Sequence, residues 1–458
     1  MSQLPGVAET ADLIAEGALT ARQAIERSLQ RIAAKDKHLN AFSVVLTESA
    51  RAEADARDAD AAPLGPLHGV PIAIKEEIDV AGCVTTYGGA ANSTPATADA
   101  ELVRRLRAAG AVIVGKTTMP EFGAFPYTES DDRGLTRNPW NPTRSPGGSS
   151  GGTAAAVASG MVPVGIGGDG GGSIRIPSAC CGLFGLKPQR GRVSTAPTPH
   201  LWWALGTAGP LARSVLDSAL VYDVIRGNVD TDLYRAGEAP SFVEAAQREP
   251  GRLRIGWSVE PVARGVKPDQ LHVQAVHDTA NLLAELGHEV VEIEPRYPDP
   301  TLAFVPQFFA GIRTECEAME HYARLEKRTR ETYRLGTWVR PGVLEWALKH
   351  TEKVSKKANR IFDQVDVLLT PTIAHRPPKA GIIDGLGTVR SALRSLPAIA
   401  YVALWNVAGN PAASVPCGLG PDGLPLAVQL VGRTDDEATL FSLSAQLEAA
   451  RPWPTLAP

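Results

Sequence analysis

A glycine-rich segment of 32 residues, from Gly147 to Ser178, constrains the fold of this chain more than any other part of the sequence. It reads GGSSGGTAAAVASGMVPVGIGGDGGGSIRIPS and contains 11 of the 44 glycines. Glycine permits positive φ and a close approach of the backbone to a ligand. Because serines and one aspartate interrupt the glycines, we expect a backbone that is shaped to hold something small and polar.

Composition argues against several classes of protein. With 458 residues the chain can bury a large core, and a hydrophobic content of 44% with a charged content of 21% is ordinary for a soluble globular protein. The net charge of -4 gives no reason to expect nucleic acid or an acidic membrane as a partner. The five cysteines form no C-x-x-C pair, which favours a reducing compartment. Since no signal peptide and no apolar run of about 20 residues is evident, we expect a cytoplasmic protein.

Strand and helix patterns alternate along the chain. The N-terminal sixty residues read as helical, with a capping box from Thr20 to Gln23. Apolar runs predict strands, and periodic segments predict helices. The predicted strands are Val70–Ile74, 111–115, Arg254–Trp257, Glu289–Ile293, Asp366–Thr372 and Leu424–Val431; the predicted helices are Glu48–Asp60, Glu101–Gly110, Leu271–Leu286 and one that begins near Asp435. This alternation predicts an α/β fold in which helices cover a large sheet.

Two short motifs in the glycine-rich segment suggest other enzymes. Residues Gly165 to Gly170 fit the G-x-G-x-x-G pattern of dinucleotide binding, but Pro177 interrupts the helix that should follow and no acidic residue stands about 20 positions later. Residues Gly147 to Gly151 fit the G-x-S-x-G pattern of α/β-hydrolases, but none of the nine histidines lies in a distinctive setting. Both readings stay open as weaker alternatives.

Longer landmarks, in a fixed order along the chain, resemble the amidase signature family, and in particular its free-standing bacterial amidases and aryl amidases. Besides the glycine-rich segment, the landmarks are residues 69–75, 115–122, 138–141, 185–188, 209–213, 410–416 and 423–430. The resemblance implies one domain over residues 1–458 with a helical N-terminal segment (1–62) and a catalytic core (63–450). It also implies a single large mixed β-sheet with helices on both faces.

The resemblance implies a Ser-Ser-Lys catalytic triad. Carried over residue by residue, it makes Ser173 the nucleophile, Ser149 the bridging serine after a cis peptide bond, and Lys75 the base. The chemistry is consistent, because a serine hydroxyl needs a base and a lysine can accept a proton only in its neutral form, which burial favours. The backbone N–H groups of Gly170, Gly171, Gly172 and Ser173 are expected to form the oxyanion hole, and Asp169 with Arg175 to support the loop.

Two residues near this triad depart from the family pattern. Position 168 is Gly where the family more often has Thr or Ser, which we expect to loosen a supporting hydrogen bond. Glu77, two residues after Lys75, is also less usual, and its carboxylate would favour the ammonium form of that lysine unless it points away. Neither departure touches the three predicted catalytic positions. Of the cysteines, Cys180, Cys181 and Cys316 are expected to be structural.

The resemblance implies hydrolysis of the C–N bond of small-molecule carboxylic amides, with esters and carbamates (urethanes) as extensions, and without a metal or organic cofactor. Aromatic residues in the variable segments, including the candidate substrate-binding residues Phe125, Tyr127 and Trp202, favour apolar or aryl amides, although several of them could equally be core. Relatives are often homodimers. The alternative is the A-type subunit of a glutamine-dependent aminoacyl-tRNA amidotransferase, and a non-catalytic scaffold is the third possibility.

Overall fold

One mixed sheet dominates the part of the chain that the computed structural model describes, which is residues 5–458. Within these residues there are thirteen strands: β1 (Phe42–Val45), β2 (Pro71–Lys75), β3 (Val112–Thr117), β4 (Glu129–Ser130), β5 (Gly134–Leu135), β6 (Val164–Gly168), β7 (Phe184–Lys187), β8 (Ala208–Ala212), β9 (Arg254–Trp257), β10 (Glu289–Glu292), β11 (Val367–Pro371), β12 (Ala412–Leu419) and β13 (Pro425–Val431). Eleven of them form the sheet in the order β1-β3-β2-β6-β8-β7-β12-β13-β11-β9-β10, and β4 pairs with β5 separately.

Strand directions explain where a site can form. Strand β2 runs parallel to both neighbours, β3 and β6. A second parallel group joins β11, β9 and β10, whereas the remaining pairs in the sheet are antiparallel. The carboxyl ends of β2 and β6 therefore meet at one edge of the sheet, which is the usual position of a ligand site in open α/β sheets.

Helices cover both faces of this sheet. Residues 5–458 contain fifteen α-helices: α1 (Val7–Ala15), α2 (Ala21–Leu39), α3 (Thr47–Ala59), α4 (Glu101–Ala108), α5 (Gly151–Ala158), α6 (Arg175–Cys181), α7 (Val215–Ile225), α8 (Phe242–Ala246), α9 (Gln270–Glu285), α10 (Thr301–Ala318), α11 (Lys327–Leu335), α12 (Pro341–Ala358), α13 (Thr388–Ile399), α14 (Ala403–Ala408) and α15 (Glu437–Ala450). In β2, Ile72 and Ile74 join the core cluster that includes α7 and α15, whereas Ala73 joins the cluster that includes α2, α5 and α6.

The predicted architecture is confirmed. Every strand and helix that the sequence patterns predict is present, with ends that differ by one or two residues. The Thr20 side chain accepts from the backbone N–H of Gln23, and the capping box is complete. One difference concerns the N-terminal segment, because its described residues 5–62 contain strand β1 as well as helices α1, α2 and α3, and that strand joins the edge of the sheet beside β3. No helix within residues 5–458 is long and apolar enough to cross a membrane.

A buried glutamate, Glu121, follows shortly after the end of strand β3 at Thr117. Glu121 belongs to a short 3-10 turn (Glu121–Gly123) and is 3% exposed. Its Oε2 accepts from the backbone N–H of Glu326 at 2.9 Å, whereas its Oε1 has no hydrogen-bond partner within residues 5–458. Burial raises the pKa of Glu121 to about 7, and the neighbouring carboxylate of Glu326 adds to this effect.

We predict that Glu121 makes the folded protein less stable as the pH rises. A carboxyl group whose pKa is raised from 4.5 to about 7 holds its proton in the folded state and releases it on unfolding, so stability falls as the pH rises between these values. Across this pH range the free energy of unfolding falls by about 3 kcal/mol, because each pKa unit corresponds to about 1.4 kcal/mol. Glu121→Gln removes this loss because an amide does not titrate. Thermal unfolding at pH 5 and pH 8 measures it, and an identical change of Tm in both proteins would contradict the assignment.

Candidate active site

The predicted lysine and bridging serine are in direct contact. Along β2, side chains alternate between the two faces, so Lys75 lies on the same face as Ala73, towards α5. Ser149 lies just before α5, and its peptide bond with Gly148 is cis, as the resemblance implied. The Lys75 Nζ donates to Ser149 Oγ at 2.7 Å, and both residues are almost fully buried.

The predicted nucleophile lies beside this pair. Strand β6 ends at Gly168, and the chain then turns through the glycine run to Ser173, two residues before α6. Lys75, Ser149 and Ser173 line one cavity of about 30 Å³. A space of this size holds about one water molecule. The structure therefore brings the three predicted catalytic residues together around one small cavity.

A buried ion pair shapes the loop between β6 and α6. Asp169 and Arg175 are both inaccessible to solvent, and Arg175 Nη2 donates to Asp169 Oδ1 at 3.0 Å. The carboxylate also accepts from the backbone N–H groups of Gly172 (2.8 Å) and Ile174 (3.2 Å) and from the Asn406 amide. Burial alone would raise the pKa of Asp169, but Arg175 and Asn406 outweigh it and hold this pKa well below its usual range.

Backbone donors at this loop differ in their availability. The N–H of Gly172, one of the predicted oxyanion donors, donates to Asp169 Oδ1 and is not free in this structure. The N–H groups of Gly170, Gly171 and Ser173 donate to no group within residues 5–458. Gly170 lines the cavity beside Ser173, and both Gly170 and Gly171 are partly exposed. These three groups are therefore the free donors of the loop.

The two departures from the family pattern form one feature. Glu77 points towards Lys75, with 3.0 Å between Oε1 and Nζ. The same Oε1 lies over Gly168, where a Cβ atom would stand only 2.1 Å from it. Gly168 thus makes room for the carboxylate that pairs with Lys75, and a side chain at position 168 would exclude Glu77 from its place.

Of the three predicted substrate-binding residues, Trp202 lies in the wall of the cavity. Trp202 lines the cavity and packs on Gly170, where a Cβ would lie 2.7 Å from the indole ring. Phe308 contacts Trp202 edge-to-face, with 5.2 Å between ring centroids. Phe125 and Tyr127, the other predicted substrate-binding residues, are buried and do not line this cavity; the Tyr127 hydroxyl donates to the Arg394 carbonyl instead.

Sequence reasoning missed one residue of this wall. Glu315 lines the cavity and accepts from the Trp202 indole N–H. Phe304, Phe308, Gly311 and Glu315 follow each other at helical spacing along α10, so they share one face of that helix. This spacing is the signal that could have identified Glu315.

Cys316 turns into a small apolar cluster, and no group of three or more potential metal ligands is found within residues 5–458.

We predict that Gly168→Ala reduces catalysis of the expected amide hydrolysis about tenfold or more by displacing Glu77 from Lys75. The new Cβ meets Glu77 Oε1 before any other atom, so the backbone can stay in place. Amide hydrolysis by the variant is compared with that by Gly342→Ala, a control in which the added methyl group meets open space.

The double variant Glu77→Ala/Gly168→Ala completes the test. Because the clash is with the Glu77 side chain, Gly168→Ala should cost nothing further once that side chain has been removed, and the two effects should be far from additive. Fully additive losses would mean that Gly168 acts independently of Glu77.

Comparison with known protein sequences gives a consistent result. Residues 23–441 match the sequence model of the family described as Amidase. A protein of Mycobacterium tuberculosis (strain ATCC 25618 / H37Rv) named "Putative amidase AmiB2" is 50% identical over 453 residues, or 98% of this chain and 96% of that protein. The A-type subunit of the glutamyl-tRNA(Gln) amidotransferase of Synechococcus sp. (strain RCC307) is 36% identical over 475 residues, or 96% of each chain.

Solved structures agree with the sequences. A 6-aminohexanoate cyclic dimer hydrolase, solved with its substrate, superimposes with a TM-score of 0.93 and 31% identity, over 99% of this chain and 98% of that one. A bacterial aryl acylamidase of the amidase signature family superimposes with a TM-score of 0.89 and 27% identity, over 98% and 97%. The chain therefore belongs to the amidase signature family and is a hydrolase of amides.

Proposed function

We propose that this protein hydrolyses the C–N bond of apolar or aryl carboxylic amides through an acyl-enzyme on Ser173. The observation that carries the proposal is the 2.7 Å hydrogen bond between Lys75 Nζ and Ser149 Oγ, in the cavity that Ser173 also lines. A lysine, a serine and a second serine in this order can move a proton away from the hydroxyl that attacks the amide.

The proposed proton path runs from Ser173 through Ser149 to Lys75. The Lys75 amine has to be neutral for this step, in which Ser149 accepts the proton of Ser173 and passes its own to Lys75. The ammonium that forms faces the Glu77 carboxylate at 3.0 Å, and this pairing stabilises the positive charge in a buried site. The proton then returns to the leaving amine, which departs as the C–N bond breaks, and water hydrolyses the acyl-enzyme.

Besides the proton path, the reaction requires stabilisation of the oxyanion, and the free backbone N–H groups can supply it. Attack on the carbonyl carbon places negative charge on its oxygen, and N–H groups directed at that oxygen stabilise the transition state. We assign this role to Gly170, Gly171 and Ser173, whose N–H groups have no partner within residues 5–458. One such donor contributes about 3 kcal/mol.

We predict that Ser173→Ala abolishes turnover and that Ser149→Ala and Lys75→Ala each reduce kcat about a thousandfold or more, because all three act on one proton. Release of amine from a p-nitroanilide measures the effect. Ser49→Ala, which removes an exposed hydroxyl outside the cavity, is the control. Near-normal turnover by Ser173→Ala would exclude the proposed nucleophile.

The cavity wall supports aryl or apolar substrates. Trp202 lines the cavity and Phe308 packs on it edge-to-face, while Phe304 approaches Gly171 closely enough that a Cβ there would lie 3.2 Å from its ring. The free volume beside Ser173 is about 30 Å³ and the Trp202 ring borders it, so the size of this side chain limits the group that binds there.

We predict that Trp202→Ala increases kcat/KM for a 2-naphthylamide relative to that for an anilide about tenfold, since it enlarges the space beside Ser173. A panel of aliphatic amides, anilides, naphthylamides, esters and aryl carbamates measures the change. Trp346→Ala, which removes a half-exposed indole elsewhere, should leave the ratio unchanged. An unchanged ratio in Trp202→Ala would mean that the aryl group of the substrate does not bind beside Trp202.

The second candidate is the A-type subunit of a glutamine-dependent aminoacyl-tRNA amidotransferase. The 36% identity to a protein of that type favours it, while the 50% identity to a protein named as an amidase favours a stand-alone enzyme. Glutamine in the substrate panel separates the two, because activity on glutamine alone, or only with added partner proteins, indicates the transferase.

We also propose a single domain over residues 1–458, a homodimer and a cytoplasmic location.

A further inference from the structure

One carboxylate in the cavity wall has no counter-charge. Glu315 lies on α10 and is half-buried. Both of its carboxylate oxygens accept from the same donor, the indole Nε1–H of Trp202, at 3.1 and 3.3 Å. No ion pair to Glu315 is formed within the described part of the chain, residues 5–458. The carboxylate keeps further lone pairs for a ligand in the cavity.

The other charges of the cavity are already paired. Asp169 is held by Arg175, and Glu77 is held by Lys75. Burial raises the pKa of Glu315 well above its usual range, and the nearby Glu77 carboxylate adds to this effect, while the Trp202 hydrogen bond and Lys75 only partly oppose it. The protein itself thus offers too little positive charge to stabilise the ionised form of Glu315.

The surroundings of Glu315 suit an organic cation. Glu315 and the Trp202 indole both border the cavity that Ser173 lines. An ammonium group near an indole face and beside a carboxylate gains from both the ring quadrupole and a charge-assisted hydrogen bond. Phe308, packed edge-to-face on the same indole, extends the aromatic wall on this side.

We propose that Glu315 is a specificity-determining residue that selects amide substrates carrying a protonated amine. The amine binds between the Glu315 carboxylate and the aromatic wall while the amide carbonyl lies at Ser173. This inference rests on the proposed amidase function, because it assigns the substrate class of the same cavity. It concerns only the choice of substrate and adds no step to the chemistry.

The test compares substrates in which an ammonium group is replaced by a methyl group. On the acyl side, the p-nitroanilides of glycine, 4-aminobutanoic acid and 6-aminohexanoic acid are matched by those of propanoic, pentanoic and heptanoic acid. On the amine side, the hexanoyl amide of 1,4-diaminobutane is matched by that of pentylamine. Three acyl lengths present the charge at different distances from the scissile bond.

We predict that at least one charged substrate is preferred over its neutral partner about tenfold or more in kcat/KM. Glu315→Gln should remove that preference by lowering kcat/KM for the charged substrate, and the ratio within each pair is the readout, so that a change common to both substrates cancels; the amide oxygen of glutamine can still accept from Trp202. Glu317→Gln, which changes an exposed carboxylate on the same helix, is the matched control and should keep the preference. The proposal would be overturned if every neutral substrate were preferred over its charged partner, or if the preference for a charged substrate survived in Glu315→Gln.

A binding measurement separates this proposal from the catalytic one. In the Ser173→Ala background, calorimetric titration compares the Kd of the charged and neutral members of the preferred pair, with and without Glu315→Gln. If the enzyme turns over no pair of substrates, the 6-aminohexanoyl and heptanoyl p-nitroanilides are the ligands in this titration. Tighter binding of the charged ligand that disappears with Glu315→Gln supports the proposal even if Ser173→Ala keeps its activity and the proposed nucleophile is wrong. Equal Kd values for both ligands would refute the role of Glu315 whatever the catalytic result.

Discussion

The buried pair of Asp169 and Arg175 is the interaction on which the rest of the site depends. Its carboxylate fixes the backbone of the loop that carries Ser173, and its guanidinium reaches across the molecule to the side chains of Gln429 on β13 and Asn406 on α14. Breaking a buried pair by removing one partner costs about 3–5 kcal/mol, because the remaining charge is left without compensation. The hydrogen bonds of this guanidinium therefore join the nucleophile loop to the late half of the sheet, in addition to the apolar cluster that Ile174 and Ile176 share with Val402 and Ala427.

Much of the fold follows from apolar patterns in the sequence. Strand β2 is a short apolar run with two isoleucines, and α2 begins at a capping box that the sequence shows directly. Helix α5 and strand β6 escape such reasoning, because six of the eight residues of α5 are glycine or alanine and three of the five residues of β6 are glycine. All eight residues of α5 are buried, and a Cβ at Gly152 would lie 2.4 Å from Thr118, so close packing and not helix propensity decides this element.

The candidate site was predictable to the extent that it consists of side chains in a fixed motif. The resemblance to the family identified Lys75, Ser149 and Ser173, a group that the fold brings into one cavity. Backbone donors could not be chosen in the same way, because the availability of the Gly172 N–H depends on its hydrogen bond with Asp169. The wall on α10 belongs to a variable segment, and its contact with the nucleophile loop is set by tertiary packing that no local pattern encodes.

The space shared by Glu77 and Gly168 also restricts how this enzyme could have changed during evolution. A side chain at position 168 and a carboxylate over that position exclude each other, since their atoms would stand 2.1 Å apart. Glutamate at 77 can therefore take this place beside Lys75 only when position 168 is glycine, and a larger residue at 168 forces the carboxylate into another rotamer. Either residue transplanted alone into a relative would be a poor test of what it does here.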